Sequence, residues 1–303
     1  MLTRPKADDT LTEDPGEAGR LYLELMKRTL TGALFEESDV ILGLTTQGTP
    51  TLKHRLANGV GALASRAGLE LVLKRPYDPR LRETGQDWPA RAESMIGLKR
   101  MDNIQLCVET VLRESVPGDL VETGVWRGGA TIFMRAVLKA WGVDDRSVWA
   151  ADSFEGLPKP DPRRYPADAG DTFHRYDALG VGVDQVKHNF ARYGLLDEQV
   201  KFIVGWFKDT LASAPIEQIA VLRLDGDMYE STMEALTGLY PRLSVGGFLI
   251  VDDYGTVPSC KEAVHDYRSA QGIDDDIVDI DGWGVYWRRS ATSSPAGTPE
   301  PTR

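Results

Sequence analysis

The sequence is poor in the residues that build covalent or zinc-stapled folds. It has two cysteines, Cys107 and Cys260, and four histidines among 303 residues. Neither cysteine belongs to a CxxC pair or to a metal-ligand spacing, which argues against a disulfide framework and a zinc site and fits a reducing cytoplasm. Positive charge is in deficit: 35 Lys and Arg stand against 46 Asp and Glu, a net charge of −11. A chain so acidic has no general attraction for nucleic acid or anionic membrane. Apolar runs fall short of the roughly 18 residues that a membrane span needs. The N-terminal stretch MLTRPKADDTLTEDPGEAG lacks the apolar centre of a secretory signal. These absences leave a cytoplasmic protein with a small-molecule partner, no nucleic acid and no membrane.

What is present is ordinary for a globular protein, 42% hydrophobic and 27% charged. Polar composition predicts disordered tails over 1–19 and 291–303. Between them, 20–89 reads as a helical cap region. Leu21, Leu25, Leu30 and Leu34 suggest an amphipathic helix, 45–75 a second helical stretch, and the prolines of 76–89 a loop. A helix is expected over about 90–114.

From there strands alternate with helices. Short apolar runs at 119–123, 148–151, 200–204, 219–224, 248–251 and 285–288 predict strands, the last at an edge. Helical spacing fills 130–141, 184–193 and 230–240. This alternation predicts an α/β fold over 90–290, a Rossmann-like, doubly wound and mostly parallel sheet behind an N-terminal helical cap. Ligands in such sheets sit outside the carboxyl ends of the strands. Here those ends carry Glu122, Asp152, Gly205, Asp225 and Asp252. Carboxylates gathered on one rim repel one another unless a ligand or cation neutralises them.

After the first strand the chain reads Glu122-Thr-Gly124-Val-Trp-Arg-Gly128-Gly129-Ala130. Glycines and a helix N-terminus offer free amides close to a ligand, though the same pattern also serves as a plain tight turn. The pattern is GxxxGG, and an acid precedes it. A carboxylate there suits a cation such as S-adenosylmethionine better than the diphosphate of a dinucleotide. Asp152, followed by Ser153, can accept both hydroxyls of a ribose or cap a helix. Gly205-Trp206 can offer an aromatic face to adenine, or Trp206 can belong to the core.

The fourth strand ends in Asp225-Gly226-Asp227 and the fifth in Asp252-Asp253. Hard carboxylates without His or Cys suit Mg²⁺, with Mn²⁺ or Ca²⁺ as alternatives. Asp225, Asp252 and Asp253 are the expected ligands, and Asp227, two residues on, the expected base. Asp225-Gly226-Asp227 also has the form of the DxD motif of a metal-dependent glycosyltransferase, and a fold retained only for binding is a further alternative.

At these residues the sequence resembles the macrocin O-methyltransferase family of antibiotic-tailoring enzymes. The resemblance runs over about Leu21–Arg289 on YLELMKRTLTGALFEE, SMIGLKRMDNIQ, LVETGVWRGGA, ADSFEGLP, VGWFKDTL, LRLDGDMYEST and GGFLIVDDYG. It implies methyl transfer from S-adenosylmethionine, with Mg²⁺, to a sugar hydroxyl of a glycosylated natural product, in a homodimer or higher oligomer. A phenolic or catechol acceptor is the alternative. It implies metal ligands at Asp225, Asp252 and Asp253, and the base at Asp227. It places Ser94 and Met95 beside the cofactor, with Glu122, Gly124, Asp152, Ser153 and Trp206. It makes 158–177 a lid over the acceptor, with Tyr165, Phe173, His174 and Tyr176 available for contacts.

Overall fold

The computed structural model describes residues 14–36, 39–40, 73–74 and 76–291. The tail expected over 1–19 is helical from Gly16; residues 1–13, and 292–303 of the C-terminal tail, lie outside the described residues. So does all but the end of the helix expected over 45–75, where Leu73–Lys74 form a short strand instead.

In chain order the elements are α1 (Gly16–Leu30), β1 (Asp39–Val40), β2 (Leu73–Lys74), α2 (Pro79–Thr84), α3 (Gly97–Arg113), β3 (Asp119–Thr123), α4 (Gly129–Ala140), β4 (Val148–Asp152), α5 (Val183–Arg192), β5 (Val200–Val204), α6 (Phe207–Thr210), β6 (Ile219–Leu224), α7 (Tyr229–Leu239), β7 (Leu243–Val251), α8 (Pro258–Gln271), β8 (Val278–Asp279) and β9 (Val285–Arg288). β1 and β2 pair with each other. The other strands form one seven-stranded sheet in the order β5-β4-β3-β6-β7-β9-β8. The five strands from β5 to β7 run parallel, and β9 lies antiparallel to both β7 and β8.

This is the expected Rossmann-like, doubly wound sheet. Its order reverses between β3 and β6, the crevice where such folds bind ligands. The apolar run of β6, Ile219–Leu224, is buried at every position, as a central parallel strand requires. One core layer joins the sheet to α1, α3, α4 and α5 through Leu23, Met101, Ile132 and Phe190. The other joins it to α7 and α8 through Leu236, Leu239 and Val264. Leu23, Met26 and Leu30 of α1 thus belong to the same core as the sheet. No helix among the described residues is long and apolar enough to cross a membrane.

Three expectations need correction. The helix expected from about residue 90 begins at Gly97. Residues 90–96 are held off helical geometry by tertiary bonds: Ser94 donates its amide to Leu30 O (2.9 Å), and Gly129 donates its amide to Glu93 O (3.0 Å). The loop expected over 76–89 contains α2. Pro79 occupies its first turn, where proline is tolerated, and the Asp78 carboxylate accepts the Arg80 amide at 2.9 Å. The strand expected at 248–251 begins at Leu243.

Candidate active site

The carboxyl ends of β3, β4, β6 and β7 open onto a cavity of about 770 Å³. It is lined by Ser94, Met95, Glu122, Gly124, Gly129, Asp152, Ser153, Trp206, Asp225, Asp227, Asp252 and Asp253, and by Phe173 and Tyr176 from the 158–177 segment. Gly128, Gly205, Tyr165 and His174 do not line it. A Cβ at Gly128 would meet Val186, so this glycine serves the packing of α4 against α5. A Cβ at Gly205 would meet Thr210. Tyr165 packs on Tyr229, ring centroids 5.9 Å apart. His174 Nδ1 is buried with no hydrogen-bond partner among the described residues.

On the β3–β4 side, the Asp152 carboxylate accepts the amides of Val125 (2.6 Å) and Phe154 (2.7 Å). It thereby fixes the glycine turn after β3 against the turn after β4. Gly124, at φ +85°, lets that turn approach β6: a Cβ there would collide with the carbonyl of Asp225. The close approach this glycine permits is therefore to backbone, where the sequence suggested a ligand. Glu122 is buried; it accepts from the Thr131 hydroxyl and from Arg223. Burial pushes its carboxyl up to about 7, against the pull of Arg223.

On the β6–β7 side, Asp225, Asp252 and Asp253 each bring one carboxylate oxygen within 4.8 Å of the other two. The adjacent parallel ends of β6 and β7 produce this meeting: Leu224 pairs with Val251, and Asp252 donates its amide to Leu224 O at 2.9 Å. Asp227 follows in the left-handed region at φ +57°, a conformation Asp tolerates better than most residues. Its amide donates to Asp253 Oδ2 at 3.0 Å, so the two rim loops are bonded to each other. Burial pushes the Asp227 carboxyl up to about 8, with Asp225 adding repulsion. Burial and repulsion from Asp227 raise Asp253 as well; burial and Asp252 raise Asp225.

Two arginines hold this group. Arg223, 1% exposed on β6, donates to Glu122, to Asp225 (2.8 Å) and to Asp252. Arg100, 4% exposed on α3, donates to Asp252 and to Asp281 (3.1 Å). The sequence carried a signal for Arg223: an arginine inside an otherwise apolar central strand must meet carboxylates. Arg100 had no such local mark, because its partners lie far along the chain. Also absent from the expected list are Trp126, Lys208, Glu230, Glu234 and Trp283 of the cavity wall.

The donor set fits a hard divalent cation. Three carboxylate oxygens converge, with no His or Cys in the group among the described residues. Asp252 keeps lone pairs for a further ligand beyond its two arginine bonds. The neighbouring part of the cavity, with Glu122, Asp152 and Trp206 in its wall, fits a cationic nucleoside.

A doubly wound sheet whose switch point carries an acid-led glycine turn and a ribose-type acid on the next strand defines an S-adenosylmethionine-dependent methyltransferase. Comparison with known proteins narrows this. Residues 19–289 match the macrocin O-methyltransferase (TylF) family, and the chain belongs to it. It is 48% identical over 280 residues to mycinamicin III 3''-O-methyltransferase of Micromonospora griseorubida, covering 91% of this chain and 99% of that one. It is 50% identical over 285 residues to a tetracenomycin-C 4'-O-methyltransferase of Streptomyces olivaceus, named for a dimethoxy-rhamnosyl substrate, covering 94% and 97%. The solved structure of the O-methyltransferase NovP superposes with a TM-score of 0.76 at 46% identity, over 90% of this chain and 99% of that one. The protein is an O-methyltransferase, which removes the glycosyltransferase reading of Asp225-Gly226-Asp227.

Proposed function

We propose that the protein transfers the methyl group of S-adenosylmethionine to a sugar hydroxyl on a glycosylated natural product, as a step of antibiotic tailoring. We infer that Asp225, Asp252 and Asp253 hold Mg²⁺ or Mn²⁺ and that Asp227 takes the proton. The observation that carries this reading is the meeting of Asp225, Asp252 and Asp253 on the adjacent ends of β6 and β7, with Asp227 bonded to Asp253 through its amide, in one cavity with Glu122 and Asp152. The relatives' names support a sugar hydroxyl over a phenolic or catechol one, since one of them specifies a rhamnosyl group. A cytoplasmic homodimer completes the reading.

A cation at the three carboxylates would stabilise a developing alkoxide, and S-adenosylmethionine would supply an electrophilic methyl. The chain's residues do the rest. Asp152 orients the turn that carries Val125 and Trp126 along the nucleoside. Ser94, Met95 and Trp206 wall the same half of the cavity. Asp227, held by its amide to Asp253, would be ionised by the positive charge of a cation at the neighbouring carboxylates, and its carboxylate could then receive the hydroxyl proton. Phe173 and Tyr176 cover the acceptor side and exclude water, so the nucleophile meets the methyl in a fixed line.

A methylation screen tests this reading. The protein would be incubated with S-adenosylmethionine, Mg²⁺ and a panel of antibiotic glycosides lacking one sugar methoxy group, with catechols alongside. A new methoxy group on a sugar carbon is expected; methylation of catechols alone would contradict it.

A further inference from the structure

The helix α7 begins two residues after Asp227, at Tyr229. Its N-cap position is Met228, which offers no side-chain acceptor to the free amides of the first turn. A carboxylate from far along the chain supplies what is missing. Asp168, in the 158–177 segment, accepts the amide of Tyr229 on Oδ1 at 2.7 Å and the amide of Glu230 on Oδ2 at 3.0 Å. Both of its oxygens are used, and the residue is 1% exposed although Asp161–Arg164 before it and Ala169–Gly170 after it are exposed. Beside it, Tyr165 lays its ring on Tyr229. The loop is therefore fixed to the first turn of α7 at two points, and Asp168 provides the polar one.

We propose that Asp168 is a positioning residue, a remote helix cap through which closure of the 158–177 segment sets the backbone that presents Asp227. Asp227 sits in a left-handed conformation, and Met228 and the first turn of α7 are its downstream support. When the loop lies down, Asp168 satisfies the amides of that turn. When the loop lifts, two donors lose their acceptor and the end of the helix frays toward Asp227. The segment that covers the acceptor and the residue that deprotonates it are thus joined through one carboxylate. Phe173 and Tyr176, on the same segment, line the cavity, so seating of an acceptor and seating of the cap favour each other. This inference rests on the reading of Asp227 as the base.

The test compares Asp168→Ala, Asp168→Asn and the unaltered protein. Amide exchange read by mass spectrometry should show the first turn of α7 opening about fivefold faster in Asp168→Ala, the ratio one helix cap supports, and recovering in part in Asp168→Asn, which keeps one acceptor. Trypsin should cut faster at Arg163, Arg164 and Arg175, all exposed in the loop, while S-adenosylhomocysteine binds all three proteins alike by calorimetry. With the acceptor that the methylation screen yields, kcat should fall about fivefold or more in Asp168→Ala, with the KM for S-adenosylmethionine unchanged and partial rescue in Asp168→Asn. Unchanged exchange and cleavage in Asp168→Ala would overturn the proposal. So would a parallel loss of S-adenosylhomocysteine affinity, which would mean general damage. If the screen yields no product, the sugar reading fails while exchange and proteolysis still decide the cap.

Discussion

Arg223 donates from one guanidinium nitrogen to Glu122 and from another to Asp252, so a single buried side chain ties the end of β3 to the end of β7. β6, which carries it, lies between those strands in the sheet. The cofactor half and the acidic half of the cavity are therefore one electrostatic unit. Removing the guanidinium from that unit leaves buried Glu122 and Asp252, and half-buried Asp225, without the charge that separates them.

Arg223→Met should accordingly destabilise the protein by about 3–5 kcal/mol, the cost of breaking a buried ion pair from one side. Arg223→Lys should restore little, because an ammonium cannot reach three carboxylates with a fixed fork. Thermal unfolding checks both. A melt of Arg223→Met matching the unaltered protein would show that the carboxylates are neutralised by other means.

Asp152→Ala should weaken S-adenosylmethionine binding about tenfold or more, through loss of an acceptor and of the bonds that fix the Val125 and Phe154 amides. Titration calorimetry measures this directly. Equal affinity in the variant would remove Asp152 from the cofactor site.

Asp227→Asn should keep S-adenosylmethionine and cation binding while turnover falls by about 10²–10⁴, the usual worth of a positioned base. The comparison of kcat with binding affinity checks it. An active Asn variant would move the proton to another group.

Glu234 lines the same cavity, and burial, aided by Glu230, pushes its carboxyl from 4.5 up to about 7. In that window the folded protein keeps a proton that the unfolded chain releases, so its contribution to stability falls as pH rises from about 4.5 to about 7. Glu234→Gln should lose that part of the pH dependence. Melting temperatures of the two proteins across the window decide it, and parallel curves would mean that Glu234 titrates normally.

Much of this was legible in the chain because strand periodicity, and the acids that close each strand, are local patterns. The six expected strands all occur, and the three helices expected within the sheet region fall within a residue of their observed bounds. The three carboxylates expected to hold a cation do converge, since neighbouring parallel strands end on one rim. What the sequence did not reveal depends on contacts between distant segments. Residues 90–96 stay irregular because Leu30 and Gly129 bond them. β8 is two exposed residues in an acidic stretch, too short for a pattern. Asp168 gave no sign of its role, because the helix it caps begins 61 residues later. Gly128 looked like a cofactor glycine because it belongs to the GxxxGG pattern, and Gly205 because it closes a strand, whereas the nearest neighbours of both are side chains of the protein.

The central claim is that Asp225, Asp252 and Asp253 form a cation site that the methyl transfer needs. Methyl transfer to an identified acceptor should be measured in EDTA, then after adding Mg²⁺ in excess, with S-adenosylhomocysteine affinity followed by calorimetry under both conditions. Activity should vanish in chelator and return with Mg²⁺, while S-adenosylhomocysteine binds in both. Full activity in chelator would contradict the claim and leave the three carboxylates with a purely structural role.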